Sequence, residues 1–417
     1  MSGTKPPQQI EAARPQVQAP PYVQAPPTAA LPPPVQAEIV PVPVPAPLPK
    51  APAARLADKD EVRAALLVPL SGPQAALGQA MSNAAQLALF ETGDPRFNLI
   101  PLDTKGTAEG AAAAAAQALA QGADILLGPL FSPEVKAAAT LARDHGVPML
   151  AFTTDRAVLG NGIYTLGFLP GSQVARVVGY ARSQGKERFA LLAPSNDYGR
   201  AVADAFHAAV PAQGGRVAKV EFYDPQSTDF SKVAKRFTDV DARSRGKAAG
   251  QPVAPPNFDA VLMPEGGTRL RSLASLLTYY EIDPGVGRFL GSLQWDDASL
   301  ANEPSVQGGW FPAPPVAAHQ DFEARYGKAF GPLPARSGAI ASIAYDATAL
   351  AAILARQAQG DYSVESLTNP NGFAGVDGVF RLSADGTSER GLAVREITQA
   401  GAKEVSPAPG SFTVVGQ

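Results

Sequence analysis

Few residues in this sequence are spaced for chemistry. The three histidines, His145, His207 and His319, lie far apart and in unrelated settings. Imidazole bases and ligands need partners at defined spacing. No H-E-x-x-H pattern, P-loop or G-x-S-x-G elbow is present. One stretch, "SQGK" (183–186), has the S-x-x-K spacing of serine acyl-transfer enzymes. In those enzymes the serine opens a helix and aims into a cleft. Here Ser183 is expected to close a helix, with Gly185 ending it and a strand following. "SND" (195–197) is not the partner S-D-N triplet, and no K-T-G follows. No catalytic residue, metal or cofactor is expected.

A second kind of chemistry, recognition of a small ligand, is better represented. Short polar loops follow apolar runs at "PLSGPQ" (69–74), "GPLFSPE" (128–134), "AFTTDR" (151–156), "APSNDYGR" (193–200), "MPEGGT" (263–268) and "GSLQWDD" (291–297). Where such loops sit at the carboxyl ends of parallel strands, they occupy the edge at which open α/β sheets bind ligands. The helix N-termini beside them present free N–H groups that suit a carboxylate. Ser132, followed by Pro133 and Glu134, reads as the N-cap of one such helix.

The elements that must hold these loops are legible as a rhythm. Apolar runs at 62–68, 97–102, 123–128, 147–152, 188–193, 217–223, 258–263 and 288–293 predict strands. The stretches 78–91, 108–121, 133–145, 172–185, 198–210, 229–240 and 267–280 predict helices. In 198–210, Val202, Phe206 and Val210 form one apolar stripe facing a sheet. Strand-helix alternation of this kind gives parallel sheets covered on both faces, and this many units predicts two α/β lobes. An Ala-rich helix is expected at 340–355, a hairpin at 378–397 turning at Asp385-Gly386, and a mobile surface insertion at 241–257.

Composition narrows the class. The chain has 417 residues, 45% of them hydrophobic, no cysteine and a net charge of −3 from 35 basic and 38 acidic side chains. The length supports sizeable cores, and the charge gives no footprint for nucleic acid. Disulfides and thiolate metal sites are excluded, and no apolar run is long enough to span a membrane. Sixteen of the 41 prolines fall in residues 5–54. That density bars helix and sheet and predicts a disordered, polyproline-like tether over 1–60, reaching on the order of 150 Å if fully extended. "MSGTKPPQQ" lacks the regions of a signal peptide. Read literally the chain is cytoplasmic, and the other reading is a leader replaced by a start codon.

The loops and their order resemble the type I periplasmic-binding fold in its leucine/isoleucine/valine-binding branch, over roughly 61–400. "LLVPLSGPQAALGQAMSNAAQLAL" resembles that branch's opening strand, Ser-Gly loop and first helix. "GADILLGPLFSPEVKAAATLARDHGVPMLAF" resembles its third and fourth units, and "DYGR" its Tyr-Gly at the start of a second-lobe helix. "AQGADILLGPL", "FALLAPSNDYGRAVADAFHAAVPAQGGRVAKVEFYDPQSTDF" and "VQGGWFPAP" are also similar to the C-terminal domain of the lipoprotein activators of penicillin-binding proteins. Those activators stimulate a peptidoglycan synthase. The helical-repeat domain that precedes theirs has no counterpart here.

The resemblance implies two doubly wound parallel-sheet lobes joined by a three-strand hinge, lobe 1 near 61–167 plus 295–358 and lobe 2 near 168–294 plus 359–413. It implies Ser71, Phe131, Ser132, Thr153, Thr154, Tyr198 and Asp296 as ligand contacts, with Ser132 taking a ligand carboxylate and Tyr198 gating the cleft. The pattern departs from amino-acid binders at two places. Leu293-Gln294 stand where an acid for the ammonium belongs, leaving Asp296 and Asp297 as the nearest, and Met263 replaces a second-lobe tyrosine. The resulting expectation is a non-enzymatic periplasmic activator of a peptidoglycan synthase. The alternative is the substrate-binding subunit of an ABC importer, partnered by a permease and taking amino acids or similar solutes. "SGTK" after the initiator is what a mature lipoprotein shows once its first cysteine is replaced, so any membrane attachment would be through a lipid anchor absent from this chain.

Overall fold

The computed structural model describes residues 61–248, 251–334 and 337–412. The expected tether over 1–60 lies outside the described residues.

The first lobe begins with β1 (Val62–Val68), α1 (Ala75–Thr92), β2 (Phe97–Asp103), α2 (Ala108–Ala120), β3 (Ile125–Leu127), α3 (Ser132–His145), β4 (Met149–Ala151) and β5 (Ile163–Thr165). Among the described residues these strands form one parallel sheet in the order β2-β1-β3-β4-β5. β1 is inside that sheet, which is why its "VRAALLV" is apolar at nearly every position rather than alternating.

The chain then enters the second lobe through α4 (Pro170–Ser183), β6 (Arg188–Pro194), α5 (Asp197–Ala212), β7 (Arg216–Tyr223), α6 (Ser231–Thr238), α7 (Val240–Arg243), β8 (Ala260–Leu262), α8 (Gly267–Tyr279), β9 (Arg288–Leu290) and β10 (Trp310–Ala313). It returns for α9 (Val316–Phe330), α10 (Gly338–Gln357), α11 (Val364–Leu367), β11 (Phe380–Leu382) and β12 (Ser388–Arg390). It crosses once more to β13 (Ala393–Thr398) and β14 (Gly401–Ser406). The second sheet runs β14-β13-β10-β9-β8-β6-β7, parallel except at β13 and β14. Three crossovers, near 166–169, 314–315 and 391–392, therefore link the lobes between β5 and β13.

Two segments sit in a different lobe from the one expected. Trp310–Ala313, expected in the first lobe, pairs with Leu290 and with β13 in the second sheet. Residues 359–390, expected in the second, carry Tyr362, Leu367, Phe380 and Leu382 into the first lobe's core. The expected hairpin does turn at Asp385-Gly386, with Arg381 opposite Glu389. It ends at Arg390, however, and β13 pairs with β14 instead. Residues 163–165 and 316–330 form the unforeseen β5 and α9. In the expected insertion, the Arg243 guanidinium donates to the carbonyls of Thr238, Ala254, Tyr280 and Glu281, tying that surface to the end of α8.

Packing follows the predicted stripes. Val202, Phe206 and Val210 of α5 are all buried against the second sheet. The close approach of α5 requires Gly199, because a Cβ there would lie 1.8 Å from the Pro194 carbonyl oxygen at the end of β6. Gly78 of α1 meets the Pro69 carbonyl in the same way, at 2.0 Å. Each glycine lets a helix start tightly against the strand before it, and so fixes the polar loop between them.

A polar cluster lies where the crossovers meet. Arg390 pairs with Asp346 of α10 at 3.0 Å, and both are buried. The same guanidinium donates to the Leu166 carbonyl at 3.3 Å and lies over the Phe168 ring. Nearby, His319 bonds Asp377 at 2.8 Å and Ser342 donates to the same carboxylate at 2.5 Å.

Candidate functional site

The loops singled out from the sequence all fall at the carboxyl ends of strands. On the first lobe, Asp103 at the end of β2 organises the loop after β1. Its carboxylate accepts the Ser71 hydroxyl at 2.6 Å and the N–H groups of Leu70, Ser71 and Lys105. Burial opposes the charge, but these four donors outweigh it and hold the Asp103 carboxyl below its usual range. The Ser71 hydroxyl is thus committed to Asp103.

Ser132 is the first residue of α3 rather than its cap. Glu134 reaches back to accept the Phe131 N–H at 3.1 Å and also the Thr104 hydroxyl at 2.7 Å. That leaves the Ser132 hydroxyl free to point elsewhere, and it donates to the Asp155 carboxylate. Burial pushes the Glu134 carboxyl upward, against those hydrogen bonds. Phe131 is half-buried at the mouth of the helix. Thr153 is buried, its hydroxyl accepting the Asp155 N–H and its carbonyl taking the Thr165 hydroxyl. Thr154 is exposed on the same edge.

On the second lobe, Tyr198 opens the first turn of α5, capped by Asn196, which accepts the Gly199 N–H at 2.9 Å. Its ring packs half-buried on the core that contains Val174 and Val202. Ser292 and Gln294 sit beside its hydroxyl, and burial, reinforced by the Glu265 charge, pushes its pKa up. A hollow of about 10 Å³ remains under it, lined in part by Gln173, Leu262 and Ser292, room for about one water. Next to it Tyr223 donates to Glu265 at 2.6 Å, and its phenol too is pushed up, first by burial and then by that carboxylate. Met263, in the position of the missing tyrosine, is buried, and its carbonyl accepts the Trp295 indole N–H at 3.2 Å. Asp296 does not stand free for an ammonium group; it is paired with Arg395 at 2.9 Å.

The two edges meet through Leu293. Its side chain packs against the apolar cluster of the first lobe, as do Leu70 and Leu130, and against that of the second. Ser71, Phe131, Ser132, Thr153 and Thr154 therefore share one edge, while Tyr198 and Asp296 share the other, with Asp296 turned into an ion pair. Sequence reasoning missed Asp103, Asp155, Tyr223, Glu265 and Gln173. The three acids were readable as single carboxylates following apolar runs, in "PLD", "TTD" and "MPE". Nothing in the sequence marked Gln173 or Tyr223.

Comparison with known proteins agrees with the fold. The family model described as periplasmic binding protein matches residues 61–402. An uncharacterized protein of Rickettsia prowazekii (strain Madrid E) is 20% identical over 181 residues, 43% of this chain and 48% of that protein, so the match spans about half of its length. Three solved structures share the fold. A protein of Rhodospirillum rubrum provisionally assigned to a branched-chain amino acid ABC transporter superimposes with a TM-score of 0.69 at 18% identity, covering 83% of this chain and 100% of that one. The branched-chain amino acid transporter substrate-binding protein LivJ of Streptococcus pneumoniae, in complex with isoleucine, gives 0.56 at 18% identity, covering 84% and 100%. An ABC transporter solute-binding protein of Rhodopseudomonas palustris, in complex with benzoate, gives 0.55 at 17%, covering 84% and 97%. With most of its length matched from the first strand to β14, the chain belongs to the periplasmic binding protein family.

Proposed function

We propose that the protein is the extracytoplasmic solute-binding subunit of an ABC importer, delivering a small amine-bearing carboxylate such as an amino acid to a permease. The observation that carries this reading is the Tyr223–Glu265 pair at the carboxyl edge of the second sheet. An amino-acid zwitterion needs both ends matched, because an unpaired buried charge costs several kcal/mol. Glu265 supplies a carboxylate for the ammonium group, which Gln294 and the Arg395-bound Asp296 do not. Thr154 and the N–H groups at the start of α3 serve the carboxylate end, joined by Ser132 when its hydroxyl turns from Asp155 to the ligand, with Ser71, Phe131, Thr153 and Tyr198 shaping the walls. Isoleucine and benzoate, bound by the two structural relatives, both carry a carboxylate. A thermal-shift screen of amino acids, amines and aromatic carboxylates tests the reading. A ligand at 100 times its Kd stabilises by ~2.7 kcal/mol, and a screen without any such shift contradicts it.

A second reading is favoured by one observation. Leu293 packs against the cores of both lobes and Asp155 occupies the Ser132 hydroxyl, an arrangement that suits a cleft without a ligand. On that reading the protein is a lipid-anchored periplasmic activator of a peptidoglycan synthase, and an assay of a bifunctional penicillin-binding protein with and without it decides. No stimulation removes this reading.

A further inference from the structure

The chain passes between the lobes once more after the three crossovers. Beyond β14, residues 407–412 leave the second lobe and run back to the first. Their root is held by Arg176 of α4, which donates to the Ser406 hydroxyl at 2.7 Å and to the Pro407 carbonyl at 2.9 Å. The same guanidinium donates to the Leu392 carbonyl in the third crossover at 2.6 Å. Midway, Pro409 lies so close over Gly391 that a Cβ there would meet its Cγ at 2.9 Å. At the tip the Phe412 ring rests on the Arg381 guanidinium of β11, 4.6 Å from centroid to Cζ. Arg381 is itself fixed by an ion pair with Glu389 at 2.6 Å.

We propose that residues 407–412 are a strap that limits how far the two lobes open, with the Phe412–Arg381 contact as its releasable catch. The root is bound by several hydrogen bonds to the second lobe, whereas at the tip the Phe412 ring rests on the Arg381 guanidinium and against Gly372 of the first lobe. A contact of that class is weak enough to open thermally, so it biases an open–closed equilibrium rather than locking it. Its loss corresponds to a roughly two- to fivefold larger open population. The strap acts on lobe motion itself and holds whether the cleft takes a solute or a partner.

The absence of cysteine makes the test direct. Gln117→Cys on α2 and Asp204→Cys on α5 place one exposed label on each lobe, and pulsed electron–electron resonance reads the distribution of distances between them. Phe412→Ala is expected to enlarge the long-distance population roughly two- to fivefold, while Phe412→Tyr, which keeps the ring, stays with the parent. An unchanged distribution in Phe412→Ala overturns the proposal, as does Phe412→Tyr moving as far as Phe412→Ala. Melting temperatures of the labelled variants confirm that folded proteins are compared.

Discussion

Gln173 accepts the Leu293 N–H at 2.9 Å while its own amide donates to the Phe168 carbonyl at 2.8 Å. One buried side chain thereby ties the first crossover to the loop whose leucine touches both lobes' cores. Gln173→Leu keeps the volume but leaves a buried N–H and a carbonyl without partners, at about 1–3 kcal/mol each. Chemical denaturation should show a loss of roughly 2–4 kcal/mol. A loss below about 1 kcal/mol would mean that water replaces the amide easily and that the loop is not held through it.

Tyr198 is a packing residue as much as a lining one. Its ring lies on the core beside Val174 and Val202, so Tyr198→Ala should cost about 2 kcal/mol, below the range for fully buried aromatics. Tyr198→Phe removes only the hydroxyl and should cost about 1 kcal/mol or less. Equal losses for the two variants in urea unfolding would contradict this division of roles.

The fit of α5 on β6 gives a comparison of two glycines. Gly199→Ala drives a methyl group into the Pro194 carbonyl, and should destabilise by more than about 2 kcal/mol. Gly171→Ala, in the first turn of α4 with nothing within 4 Å of its Cβ position, should be neutral or stabilising by about 0.5 kcal/mol. Thermal melts of both variants check the ordering, and a neutral Gly199→Ala would refute the steric account.

The hinge cluster makes stability depend on pH. Burial opposes the charge on His319, but the hydrogen bond and charge of Asp377 outweigh it and raise its pKa above the ordinary 6.5. Asp346 is pushed up to about 6, chiefly by burial. In both cases the folded state holds its proton more tightly than the unfolded chain, so unfolding free energy falls as pH rises. For His319 the contribution is complete below pH 6.5 and is lost as pH climbs through the raised folded value. His319→Gln should flatten the melting temperature between pH 6 and 8, and a profile as steep as the parent's would assign the dependence to other groups.

The fold was more legible than the site, for a physical reason. Fully apolar runs such as "VRAALLV" and the stripe Val202, Phe206, Val210 announce their environment locally, and Asp385-Gly386 announces its turn. Lobe membership is not local. Nothing in Trp310–Ala313, or in the hairpin segment Phe380–Leu382, names its lobe, and only pairing with β9 or burial in the first core assigns them. The site behaved similarly. Polar loops after strands marked Ser71, Ser132, Thr153, Thr154 and Tyr198, yet hydroxyl partners come from distant loops: Asp103 is 32 residues from Ser71 and Asp155 is 23 from Ser132. Glu265 escaped notice because its importance depends on Tyr223, 42 residues earlier.

The central claim is a solute site whose ammonium partner is Glu265. Isothermal titration of the protein with the best amine-bearing carboxylate from the thermal-shift screen, run in parallel on Glu265→Gln, tests it most directly. The account predicts saturable binding to the parent and a loss of at least tenfold in affinity, about 1.4 kcal/mol, in the variant. Binding that is unaltered by Glu265→Gln, or no heat from any such solute, would contradict it.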